Sequence, residues 1–108
     1  MYLYRVVYNL ILFMFLGILK LDLFFPENRS LKEKRYYLKS IKDRVKSSFN
    51  VSVAEVDYHD LWQRSQLAIV CVGVERSLVE ETLSKVRNFL DKNYPEFILG
   101  MNLEFIKV

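Results

Sequence analysis

Two amphipathic helical patterns, set among segments with the alternation of β-strands, are the feature that most limits how this chain can fold. The first helical pattern follows Ser30 and places apolar residues three or four positions apart as far as Phe49. The second follows Ser77. Both begin with a capping box, Ser30 with Glu33 and Ser77 with Glu80, in which the Ser oxygen and the Glu carboxylate each accept a backbone N–H. The sequence therefore predicts two well-defined helices.

Four β-rich segments surround these helices, and they are Phe15–Leu23, Val51–Val56, Leu67–Val74 and Phe97–Phe105. The third segment is apolar on both sides, which predicts a central position in the sheet. The order is βαββαβ. With right-handed crossovers this order predicts an α+β, ferredoxin-like fold, a four-stranded antiparallel sheet with two helices on one face.

This topology brings distant parts of the sequence to one end of the sheet. The first and second strands run in the same direction, so the loop after the first strand and the hairpin loop after the second emerge together. We expect Phe24–Lys32 to lie beside Tyr58–Arg64, with the link at Asn93–Glu96 at the same end.

The amino-terminal segment carries no pattern of its own. Between Arg5 and Lys20 lie 14 uncharged residues, fewer than the ~20 of a membrane-spanning helix. Lys20–Leu23 (KLDL) follows where a signal peptide needs a small-residue cleavage site. We therefore predict no membrane anchor and a single domain over 14–108. Residues 1–13 are either a translated upstream start or an apolar extension, and Met14 stands at their boundary.

Charge is concentrated in one part of the sequence. The whole chain has 16 Lys and Arg against 13 Asp and Glu, but residues 29–46 alone hold eight cationic side chains against two acidic ones. Residues 47–108 carry six cations against nine acids. The positive excess therefore lies on the first helix and the loop before it.

Two sequence blocks resemble a known family. RSLKEKR at Arg29–Arg35 and NVSVAEVDYHDLWQR at Asn50–Arg64 are similar to the signature of the YlxP-like family, and the resemblance extends from Met14 to about Val108. These are small bacterial proteins of unassigned biochemical function, often encoded among translation and ribosome-assembly genes. The resemblance implies a ferredoxin-like fold and a cytoplasmic location. It implies no catalytic mechanism.

The basic first helix has two interpretations. Its cations are either a solvated face that keeps the protein soluble or a row that neutralises phosphates. The local charge imbalance and the genetic context of the resembled family favour RNA. We predict a non-enzymatic protein that associates with RNA or the ribosome, possessing a nucleic-acid site formed by Arg29, Lys32, Lys34, Arg35, Lys39, Lys42, Trp62, Gln63 and Arg64.

Trp62 also has two interpretations. An exposed indole stacks on an unpaired base, while Gln63 bonds a base edge and Arg64 stacks or contacts phosphate. The other interpretation is that Trp62 folds back over the sheet edge. The second is favoured for Trp62, because a Trp in a small domain is usually mostly buried.

Residues typical of catalytic or metal sites are few. The cluster Asp57, His59 and Asp60 has no recognised ligand spacing, so we predict no metal and no cofactor. We expect its carboxylates to pair instead with nearby arginines. Cys71, the single cysteine, allows no internal disulfide and has no basic neighbour in sequence to activate it. The sequence therefore predicts no enzymatic activity and a reducing compartment.

The alternative function is a homodimeric interaction module that binds no nucleic acid. The sheet face away from the helices is expected to expose several apolar side chains. Its predicted members are Leu16, Ile18, Lys20, Ile98, Asn102 and Glu104. A second copy of the chain would cover this face.

Overall fold

The computed structural model describes residues 13–108, which form four strands and two helices. The elements are β1 (Phe15–Phe24), α1 (Leu31–Ser48), β2 (Ser52–Asp57), β3 (Arg64–Gly73), α2 (Arg76–Asn93) and β4 (Ile98–Lys107). The strand order is β2-β3-β1-β4, and every neighbouring pair is antiparallel. The predicted α+β, ferredoxin-like fold is confirmed, with β3 inside the sheet as expected.

The core lies between the two helices and one face of the sheet. Alternate residues of β1 and β3 meet the inward stripes of α1 and α2. Gly17 of β1 lets α2 approach closely, since a Cβ at this position would lie 2.5 Å from Leu83 Cδ1 and 2.7 Å from Val79 Cγ1. A side chain at position 17 would therefore require Leu83 and Val79 of α2 to move.

The alternation in β4 departs from the predicted one. The register against β1 shifts at Asp22 and Leu23, so that Gly100 pairs with Asp22 and Ile98 with Leu23. Leu99 is the extra residue of this β-bulge and is exposed, whereas Ile98 packs against the core. The prediction that Ile98 lies on the open face of the sheet is therefore wrong.

The two predicted capping boxes have different outcomes. Ser30 is the N-cap of α1, its Oγ accepts the N–H of Glu33 at 3.1 Å, and the Glu33 carboxylate accepts the N–H of Arg29 at 3.1 Å. Helix α2 begins at Arg76, one residue before Ser77, and its N-cap makes no side-chain hydrogen bond. The second box is therefore wrong, because Ser77 lies inside the first turn rather than ahead of it.

The start of the described chain belongs to the sheet. Met14 exchanges two backbone hydrogen bonds with Val108, at 3.0 and 2.7 Å. The Phe13 ring lies edge-on to Phe15, and Lys107 Nζ lies 4.4 Å from its centroid. Residues 1–12 of the predicted extension lie outside the described residues. Within residues 13–108 no helix is both long and apolar enough to cross a membrane.

Candidate nucleic-acid interface

The loop after β1 and the hairpin loop between β2 and β3 are joined at one end of the sheet. The Phe25 N–H donates to the Gln63 carbonyl at 2.8 Å, and Asn28 Nδ2 donates to the Trp62 carbonyl at 3.4 Å. The Phe25 ring also contacts Phe97, from the link before β4, at a centroid distance of 5.0 Å. The expected meeting of three chain segments at this end is confirmed.

A pocket of about 550 Å³ opens between the two joined loops, and we call it the loop pocket. Its lining residues are Asn28, Arg29, Asp60, Leu61, Trp62, Gln63 and Arg64. The structure thus brings together four of the predicted site residues, those at positions 29, 62, 63 and 64. Asp60 and Leu61 are members that the sequence interpretation did not include.

Trp62 is 53% exposed, so the interpretation that it covers the sheet edge is wrong. The aromatic core at this end is formed by Phe25, which is 1% exposed and whose ring contacts Tyr37 and Phe97. With that space filled, the indole of Trp62 remains at the surface. About half of the surface of Trp62 is therefore accessible to a ligand.

Gln63 links the two loops through its side-chain amide nitrogen. Its Nε2 donates to the carbonyls of Pro26 at 3.1 Å and Asn28 at 3.3 Å. Both bonds tie the hairpin loop to the first loop. Both amide donors of Gln63 are therefore used within the protein, so a bond from Gln63 to a base edge would have to use its side-chain oxygen as an acceptor.

The Arg64 guanidinium stacks over the Tyr58 ring, with its carbon 4.4 Å from the centroid. Its Nε is buried and has no hydrogen-bond partner within residues 13–108. The expected pairing of loop carboxylates with arginines does not occur among the described residues. Asp57 Oδ1 instead accepts the Tyr58 N–H at 2.7 Å. Asp60 has no cationic partner in the same part of the chain.

Lys34 was predicted to contact nucleic acid, and the structure contradicts this because Lys34 is only 1% exposed. Its Nζ lies 2.9 Å from Glu55 Oε2 and donates to the Tyr58 carbonyl at 2.6 Å. Ser65 Oγ also donates to Glu55 Oε2, at 2.6 Å. Position 34 begins the inward stripe of α1, so its ammonium is turned toward the sheet and secures the start of the hairpin loop.

The hairpin loop also contains a left-handed residue, Tyr58, with φ of 63°. Next to it, His59 Nε2 donates to the Glu55 carbonyl at 3.1 Å, because a carbonyl can only accept. Together with Lys34, this bond fixes the backbone that leads into the loop pocket. The loop pocket is therefore carried on a structured loop.

A second depression, of about 390 Å³, follows the side of α1 that borders strand β2. Its lining residues are Arg35, Leu38, Lys39, Lys42, Asp43, Lys46 and Glu55. The four cations, at spacings of four, three and four residues, share one side of the helix, and we call them the basic face. Lys46 is the member that the site prediction omitted, although its spacing continues the same row.

One member of the basic face is already paired. Lys39 Nζ lies 2.6 Å from Asp43 Oδ2, and this hydrogen bond raises the pKa of Lys39 and lowers the pKa of Asp43. Arg35, Lys42 and Lys46 form no ion pair within residues 13–108. These three cations therefore carry the positive charge of the basic face.

Other side chains of α1 lie apart from the basic face. Lys32 lines a separate depression with Glu33, Tyr36 and Tyr37. Tyr36 is 73% exposed, an accessible aromatic that the charge-based interpretation did not single out.

Arg44, a cation of the same helix, faces α2. It donates to Tyr94 Oη at 2.7 Å and Asn93 Oδ1 at 3.1 Å. Its guanidinium carbon also lies 5.2 Å from the centroid of the Phe89 ring. Arg44 therefore connects the two helices, so it is not counted in the basic face.

The described residues include no group of three or more His, Cys, Asp and Glu side chains placed to hold a metal ion. Cys71 is buried in β3. The arrangement offers a row of cations, an exposed indole and a loop pocket with one carboxylate. These groups are suited to binding an anionic, base-bearing ligand.

Comparison with known proteins gives a family without an assigned activity. The family model described as "Protein of unknown function (DUF503)" matches residues 16–102. Uncharacterized protein YlxP of Bacillus subtilis (strain 168) is 46% identical over 67 residues, which cover 62% of this chain and 72% of that protein. These matches confirm the resemblance to the YlxP-like family. Among solved structures, the de novo designed protein Foldit4 covers 88% of this chain at 11% identity, and this chain covers 96% of it, with a TM-score of 0.48.

Proposed function

We propose that this protein, which belongs to the family of proteins of unknown function DUF503, is a non-enzymatic cytoplasmic protein that associates with RNA or the ribosome. The observation that carries the proposal is the basic face. On one side of α1 lie three exposed or half-buried cations that form no ion pair in the described chain, namely Arg35, Lys42 and Lys46. Such a row neutralises phosphates without reading sequence.

The dimensions of the basic face support this proposal. From Arg35 to Lys46 the helix advances about 16 Å, at ~1.5 Å per residue, which is long enough to follow several phosphates of one strand. Strand β2 lies beside it at the edge of the sheet, where no further strand of the described chain covers it. A polynucleotide backbone therefore has access to the basic face along its length.

The loop pocket supplies the second half of the proposed site. Trp62 is exposed, and a base that stacks on an indole gains about 1–3 kcal/mol whatever its sequence. Arg29 and Arg64 line the same pocket and add positive charge beside the indole. Cations hold the backbone, while the aromatic side chain holds a base.

The proposal is tested by the salt dependence of RNA binding. Replacing Arg35 and Lys42 together by Ala removes two phosphate contacts, so the log-log slope of affinity against salt should lose ~1.4 in magnitude, at ~0.7 for each single-strand contact. The matched control is Arg87→Ala with Lys92→Ala, which removes two exposed cations from α2 instead. Equal slopes for both double variants would show that the basic face does not bind RNA.

A second candidate function, a homodimeric interaction module without nucleic-acid binding, is favoured by the open face of the sheet. On that face Leu16 pairs with Val72 on one side and with Ile106 on the other. Val72 is 60% exposed, and Ile106 is also exposed. A contiguous apolar surface of this kind is usually covered by another molecule.

If the protein is a homodimeric module, sedimentation should show a dimer whose fraction rises with protein concentration. Ile18→Lys should dissociate it, because the new charge would be buried between two copies. Lys20→Ala, on the same face but removing a charge, is the control for a general surface effect and should preserve the dimer. A monomer at all concentrations in the parent protein would remove this candidate.

A further inference from the structure

We propose that the loop pocket binds an unpaired guanine base. In this proposal Trp62 stacks on the base, and the Asp60 carboxylate accepts hydrogen bonds from the N–H groups of the Watson–Crick edge of guanine. This inference rests on the proposed association with RNA and adds a base preference to it. It does not concern the basic face, which contacts backbone phosphates.

The size and walls of the loop pocket suit a single base. At about 550 Å³ it falls inside the ~300–1,000 Å³ range of small-ligand sites. Its lining combines the apolar side chains of Leu61 and Trp62 with the charged side chains of Asp60 and two arginines. An unpaired base splayed out of its strand presents a flat apolar face and a polar edge, which match these two kinds of side chain.

Hydrogen bonding within the protein determines which polar groups remain for a ligand. The donors of Gln63 are used by the carbonyls of Pro26 and Asn28. Asn28 is itself buried and donates to the Trp62 carbonyl. Asp60, in contrast, is exposed and makes neither an ion pair nor a side-chain hydrogen bond within residues 13–108. The pocket therefore offers the Asp60 carboxylate, whose two oxygens only accept, together with the guanidinium groups of Arg29 and Arg64, which only donate.

A carboxylate that shares its pocket with arginines matches guanine by complementarity, because the O6 carbonyl of guanine can also accept a hydrogen bond from a guanidinium group. The Watson–Crick edge of guanine places the N1–H and N2–H donors side by side, so they reach both oxygens of one carboxylate. Adenine and cytosine place a ring-nitrogen acceptor beside their amino group, and uracil places one donor between two carbonyls. None of these three offers two adjacent N–H donors along its Watson–Crick edge to the two oxygens of the Asp60 carboxylate.

The charges around Asp60 make an anionic ligand acceptable in the pocket. Arg29 and Arg64 line it, so a nucleotide's phosphate finds cations close to the base site. Arg64 is held in place by stacking on Tyr58, and its buried Nε has no partner among the described residues. The phosphate of the bound nucleotide can therefore contact the arginines, and it does not have to contact the Asp60 carboxylate.

The experiment uses Trp62 as its own reporter, since it is the single tryptophan of the chain. The full chain is titrated with short oligouridine strands that carry guanine, adenine, cytosine or uracil at the centre, and tryptophan fluorescence is followed. Stacking predicts quenching. The central guanine should bind about tenfold or more tighter than the other three, the discrimination typical of a bidentate base contact.

Two variants with the same charge change isolate the carboxylate. Asp60→Asn should abolish the preference for guanine, because the amide offers a donor in place of one acceptor. Asp57→Asn is the matched control in the same loop, where the Asn oxygen can still accept the Tyr58 N–H, and it should keep the preference. Salt-sensitive binding of all four strands with equal affinity would overturn the guanine site and leave the proposed RNA association standing. No binding of any strand would overturn both.

Discussion

At the scale of a single residue, Lys34 shows that a cation within a basic segment of the sequence does not have to lie on a binding surface. Because Lys34 is charged, it was assigned to the binding site with the other cations. Its position along the helix, however, continues the inward-facing stripe of Leu38, Ile41 and Val45. Extending that apolar stripe back by one turn identifies Lys34 as facing inward, and Glu55 in β2 then supplies its partner. The partner could not be located from sequence, because only the sheet register brings Glu55 under the helix.

Lys34→Ala should destabilise the domain. The change leaves Glu55 and the Tyr58 carbonyl without their cationic partner, which should lower the free energy of unfolding by about 2 kcal/mol or more. Chemical denaturation of the variant measures this loss. Lys39→Ala is the control on the same helix. Because the Lys39–Asp43 pair is exposed to solvent, its loss should leave stability nearly unchanged. Equal stability of the two variants would show that Lys34 does not secure the loop.

At the scale of the elements, the strand and helix order followed from sequence because periodicity reports which face of an element is buried. The exceptions occur where a single residue breaks the period. Leu99 bulges out of β4 and returns Ile98 to the core, and a strict two-residue alternation has no signal for such an insertion. The capping pattern at Ser77 also failed to mark the start of its helix, because α2 begins one residue earlier, at Arg76.

The close contact of α2 with β1 gives a prediction for the elements. Gly17→Ala should lower the free energy of unfolding by about 1–3 kcal/mol, because the new methyl group would overlap Leu83 and Val79. Gly100→Ala in β4 is the matched control, since no atom lies within 4 Å of its added Cβ. Thermal unfolding of both variants is the measurement. A Gly17→Ala variant as stable as the parent would mean that α2 can shift on β1 at little cost.

For the whole molecule, the sequence predicted the fold and the common end of the sheet but only part of the site. Charge counting identified the basic face, because Arg35, Lys39 and Lys42 follow helical spacing. The loop pocket depends on exposure and hydrogen bonding, which are not visible in sequence. Trp62 is exposed while Phe25 lies in the core, and the two amide donors of Gln63 are used to link two loops.

The central claim is that the basic face binds RNA, and crosslinking in cells followed by sequencing of the bound RNA tests it most directly. The parent protein should recover RNA, whereas Arg35→Glu with Lys42→Glu should not, since charge reversal makes the face repel phosphate. Arg87→Glu with Lys92→Glu, on α2, should recover RNA as the parent does. Equal recovery by the folded Arg35 and Lys42 variant, washed at ~0.15 M salt where exposed charges are screened beyond ~8 Å, would contradict the claim.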